Sequence, residues 1–112
     1  SPAAANVIVE RVLSAHPKRA DAWHMLGLIA AQQNDSPRAL AALKQAATLE
    51  QKNLDVRCAL DEILIDLLDY KGALKELKVC FELDPKMRHP SGVRARMVVV
   101  RLQKEIKRRR QS

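Results

Sequence analysis

Apolar positions recur at helical spacing in six stretches of this chain, separated by short polar or proline-bearing joints. Residues 4–15 predict a helix with Val7, Ile8, Val12 and Leu13 as its apolar positions. His16-Pro17 ends it, because proline disfavours helical geometry at the residue before it. The spacing predicts a second helix over about 20–33, burying Ala22, Trp23, Leu26, Gly27 and Ala30. Asn34-Asp35-Ser36 is a polar turn, with Ser36 expected as N-cap and Pro37 at the first helical position. The third helix runs to about Glu50, with Ala39, Leu40, Leu43, Ala46 and Ala47 inward. Asn53 is expected to cap a fourth, over 54–68, which carries Val56, Leu60, Ile63, Leu64 and Leu67. Asp69 is expected to cap a fifth, over 70–83, with Ala73, Leu74, Leu77, Cys80 and Phe81 inward, and Asp84-Pro85 stops it. Residues 86–92 read as a connector. The last helix covers about 91–109, on a stripe of Ala95, Val98, Val99, Leu102 and Ile106. No strand alternation appears.

The pattern also repeats when the chain is shifted by 34 residues. Trp23, Leu26, Gly27, Ala30, Ala39 and Leu43 sit one step before Arg57, Leu60, Asp61, Leu64, Ala73 and Leu77. Backwards, Ala5 precedes Ala39, Val9 precedes Leu43, and Pro17 lies two steps before Pro85. A fixed period of this length marks stacked units, each burying its apolar face on the next. Trp23-x2-Leu26-Gly27-x2-Ala30 followed by Ala39-x3-Leu43 resembles the tetratricopeptide repeat (TPR) pattern. The second copy reads Arg57-x2-Leu60-Asp61-x2-Leu64, then Ala73-x3-Leu77, then Pro85. The resemblance implies an all-α fold: antiparallel helix pairs stacked as a right-handed solenoid of about two and a half repeats, with a C-terminal capping helix. The divisions it implies are 4–19 (the second half of a repeat), 20–53, 54–87 and a basic cap over 88–112, forming one domain.

Three departures from the family pattern stand out. Gln51 replaces the terminal proline of the first full repeat, Arg57 replaces the Trp, and Asp61 stands where a small residue allows close helix contact. A lone buried carboxylate is costly, so Asp61 is expected either at the solvent edge or paired with Arg57. The last helix lacks the Trp and puts Arg94 at a usually apolar site.

Composition agrees with a helical core and divides the charge. Only Trp23, Tyr70 and Phe81 are aromatic, so the interior must be built of Ala, Leu, Ile and Val. The net charge is +7, but residues 1–87 hold 11 Lys+Arg against 12 Asp+Glu, whereas 88–112 hold nine against Glu105 alone. Cys58 and Cys80 fit no metal or redox spacing and read as reduced thiols of a cytoplasmic protein. No apolar run is long enough to span a bilayer and no secretory signal is visible. The start Ser-Pro-Ala, without Met, is that expected of an excised segment.

These features point away from an enzyme, and no cofactor is expected. Gly27, Gly72 and Gly92 are isolated and form no phosphate-cradling loop. His16, His24 and His89 share no ligand spacing, so no metal site is expected. Cys58 beside His24 of the next unit is the one pair that invites a nucleophile-and-base reading.

The TPR resemblance implies a protein-interaction or scaffolding module, whose partner lies in a concave groove lined by the first helix of each pair. The outward positions are Asp21, His24, Leu28, Ala31 and Gln32, then Asp55, Cys58, Glu62, Ile65 and Asp66. They carry four acidic groups and no Lys or Arg. The Lys and Asn clamp with which some TPR proteins hold a peptide carboxylate is absent, since His24, Leu28 and Ala59 occupy those places. A basic or apolar-basic peptide is therefore the expected partner. The basic end, including Arg94, Arg96, Arg101, Lys104, Lys107, Arg108, Arg109 and Arg110, reads as the solvated face of a cap. Alternatives are binding of nucleic acid or anionic lipid, self-association by docking in a neighbour's acidic groove, or a regulatory role within a larger enzyme.

Overall fold

A computed structural model describes residues 1–111, which form six α-helices: α1 (Pro2–Ala15), α2 (Ala20–Gln32), α3 (Ser36–Leu49), α4 (Leu54–Asp66), α5 (Tyr70–Leu83) and α6 (Pro90–Arg110). Pairs α2–α3 and α4–α5 pack most extensively, and α1 and α6 lie at the two ends of the stack. Local chemistry sets the helix ends. Asp35, Asn53 and Asp69 accept hydrogen bonds from the backbone N–H groups of Arg38, Val56 and Gly72, as side-chain caps do. The cap of α3 is thus Asp35, and Ser36 lies inside the helix. A carboxylate one residue earlier reaches the free N–H groups and complements the helix dipole as well.

The 34-residue period is visible in individual bonds. The C-caps His16, Glu50 and Asp84 each donate a backbone N–H to the carbonyl four residues earlier. Asn34 and Leu68 both adopt positive φ (58° and 64°) after α2 and α4. Trp23 Nε1 donates to the Pro17 carbonyl at 2.8 Å, and Arg57 Nε donates to the Gln51 carbonyl at 3.0 Å. One repeat step separates both donors and both acceptors. Arg57 thus makes, in place of the missing Trp, the same bond between helix and loop. Arg57 also holds α5: its Nη1 lies 3.1 and 2.9 Å from the two carboxylate oxygens of Glu76, and both side chains are largely buried.

The core is a continuous cluster running from Ala30, Ala39 and Leu43 through Val56, Leu60 and Leu64 to Ala73, Leu77, Ala95, Val98 and Leu102. Gly27 explains the tight α2–α3 contact: a Cβ there would lie 2.6 Å from Leu43 Cγ. On α1, Val7 and Ile8 are exposed, and Val9, Val12 and Leu13 face α2 instead. Leu74 of α5, expected inward, is exposed as well. The repeat register (Val9 with Leu43) gives the inner face of α1 correctly where the local run of apolar residues does not.

Asp61 is neither at the solvent edge nor paired with Arg57. It is 0% exposed. Its Oδ2 lies 3.9 Å from Cys80 Sγ, and its Oδ1 has no hydrogen-bond partner. Burial, followed by the neighbouring Glu62 and Glu76 charges, pushes its carboxyl up to about 8, so the acid is held protonated at neutral pH.

Candidate protein-interaction surface

The surface expected to bind a partner is built by α2 and α4. On α2, Asp21, Leu28 and Gln32 are exposed and His24 is half-buried. Helical spacing keeps the four on one side, and Met25 adds apolar surface beside Asp21 and Ala22. On α4, Asp55 and Asp66 are exposed and Glu62 is half-buried. Two residues expected on this open face are in fact buried: Cys58 and Ile65.

The cause is α6, which packs against α4 more extensively than against α5. Its first turn is fastened from both sides. Ser91 Oγ donates to Asp55 Oδ1. Asp84 accepts the backbone N–H groups of Arg88 and His89, both at 2.9 Å, with Gly92 against its carboxylate, where a Cβ would not fit. Further along, Arg94 Nη2 lies 2.8 Å from Glu62 Oε1, and Arg101 Nη2 lies 2.9 Å from Asp66 Oδ1. The face expected to carry no Lys or Arg therefore receives two arginines from the last helix. Arg94 and Glu62 border a cavity of about 210 Å³ with Met97, Val98 and Arg101.

Both thiols are held in the neutral form. Burial, then the Asp61 charge, pushes both Cys58 and Cys80 up to about 12, so each is a neutral thiol at physiological pH. Cys58 points toward Glu62 (3.9 Å).

The basic end is partly engaged. Arg101 is held by Asp66 as described. Arg108 donates to Glu105 at 2.8 Å, which raises the arginine and lowers the carboxyl. Arg109 Nε donates to Tyr70 Oη at 2.9 Å, with its guanidinium 5.5 Å from the ring centre. Lys104, Lys107 and Arg110 are exposed. Among the described residues no helix is long and apolar enough to cross a membrane, and no cluster of His, Cys, Asp and Glu could hold a metal ion.

Helix pairs in a 34-residue register, with repeated caps and a continuous core, define a TPR-like helical-repeat protein. A family model for the anaphase-promoting complex, cyclosome, subunit 3 matches residues 3–80, and the chain belongs to this TPR-like family. No curated protein matches the chain. The family is one of protein-interaction and scaffolding modules.

Proposed function

We propose that the chain binds an arginine-bearing, apolar-basic segment of a partner protein on the face formed by α2 and α4. The observation that carries this reading is the pairing of Glu62 and Asp66 with Arg94 and Arg101. The α4 acids are already in geometry to receive guanidinium groups presented seven residues apart by a helix. The α2 half offers the same chemistry at the surface: Asp21, whose Oδ1 accepts from the exposed Arg19 at 2.9 Å, keeps its second oxygen for a partner's cation, and Leu28 and Met25 offer apolar surface. A carboxylate that meets arginine gains charge-assisted hydrogen bonds, while the apolar neighbours supply burial. The family's description as a subunit of a multi-protein complex supports a role in assembly.

Asp21→Lys with Leu28→Asp tests the reading without touching α6. Titration calorimetry with a synthetic Leu/Arg peptide should show saturable binding to the wild type, weakened at least about tenfold in the variant. Equal binding by both proteins would remove the α2 surface from the account. The pair Asp55 and Glu62 is a poorer choice, because both hold α6.

A further inference from the structure

A helix that only closed a stack would carry a polar outer face, whereas that of α6 is crossed by an apolar stripe. Ser91, Ala95, Val98 and Leu102 are buried. On the opposite side, Val93 (50% exposed), Met97 (64%) and Val100 (40%) form a stripe at helical spacing that Lys104 continues. Cations flank it on both sides. Arg94 and Arg101 run along the α4 edge, each using a single Nη2 for its carboxylate, which leaves further guanidinium donors available. Arg96 stands on the other edge, reaching the Met87 thioether at 4.0 Å. In the body of the stack, α2 and α4 are each followed by a helix packed along them, α3 and α5.

We infer that the outer face of α6 is a second docking surface, whose occupant is an acidic amphipathic helix of a partner protein. Its apolar side chains would cover Val93, Met97 and Val100, and its flanking carboxylates would meet Arg94, Arg96, Arg101 and Lys104. This surface adjoins the α2–α4 face along Arg94 and Arg101 and prefers the opposite charge. The chain itself supplies no matching acidic stripe on α1, where Arg11 follows the exposed Ile8 by three residues and Glu10 is already held by Arg38, so charge argues against a second copy docking there. An anionic bilayer is disfavoured because the three side chains offer less hydrocarbon than one myristoyl chain, whose membrane binding alone is marginal.

The test uses a synthetic helical peptide of about 18 residues, with leucines along one stripe and glutamates on its flanks, titrated against the labelled full chain by NMR and fluorescence anisotropy. Saturable binding with shifts confined to residues 93–104 is expected. The triple variant Val93→Ser, Met97→Ser, Val100→Ser should lose affinity at least about tenfold, with an unchanged circular dichroism melt. Arg96→Glu with Lys104→Glu should abolish binding of the acidic peptide and gain binding to a lysine-flanked version. Asp21→Lys with Leu28→Asp should leave acidic-peptide binding unaltered, so failure here is distinct from failure of the α2–α4 reading. The inference is overturned by any of four results: undiminished binding by the triple variant, equal binding of polyglutamate, phosphatidylserine vesicles binding where the peptide does not, or self-association that buries residues 93–104.

Discussion

Replacing Asp61 by alanine should stabilise the protein at neutral pH, and increasingly so as pH rises. The carboxyl is 0% exposed with Oδ1 unpartnered. It lies at about 8 in the fold against 3.8 as the ordinary value. Between those values the unfolded chain has released the proton while the folded chain keeps it. The native state thus binds more protons, and stability falls with rising pH at about 1.4 kcal/mol per pH unit for this group. At pH 7 the cost is about 4 kcal/mol by this linkage. Alanine removes that cost and the orphan oxygen. It leaves a small void beside Cys80, costing about 1–2 kcal/mol. The net expectation is a gain of about 2–3 kcal/mol at pH 7. Gly27 and Ala95, at the same register one repeat either side, indicate that the backbone accepts a small residue. Urea unfolding of both proteins at pH 5, 7 and 8.5 reads the difference directly. The advantage of alanine should grow between pH 5 and 8 and level off above it. Parallel stability–pH curves, or a less stable variant at pH 8.5, would refute the buried-acid account.

Three further substitutions probe the repeat itself. Arg57→Ala strands Glu76 and frees the Gln51 carbonyl, so it should cost about 3–5 kcal/mol in urea unfolding, whereas Arg57→Met with Glu76→Leu should recover most of that loss. Gly27→Ala places a methyl against Leu43 and should destabilise by about 1–3 kcal/mol, read as a lowered melting temperature. Leu68→Asn relieves a positive-φ residue (64°) with an exposed side chain. It should add about 0.5–1 kcal/mol, checked by the same melt.

The repeat was legible because packing enforces it: Ala39, Leu43, Ala73 and Leu77 are small or large where the helix spacing demands. Local patterns were less reliable. Val7 and Ile8 look like core, but no helix of the described residues packs on their side of α1. Asp61 was legible as a conflict but not in its resolution, since Arg57 is drawn to Glu76 on the next helix, a contact no sequence spacing reveals. The site was half legible. The acidic positions on α2 and α4 were found, but the lean of α6 onto α4 depends on the junction. There Asp84 gathers the backbone of Arg88 and His89 and Ser91 meets Asp55. The connector's turn residues announced a break without giving its angle. Burial of Cys58 followed from that lean.

If the α2–α4 face receives arginine from a partner, amide shift mapping of the full chain titrated with a Leu/Arg peptide will reveal it. Saturable shifts are expected at Asp21, His24, Leu28 and Gln32, extending to Asp66, and lost in Asp21→Lys with Leu28→Asp. Shifts confined to other surfaces, or none at millimolar peptide, would contradict it.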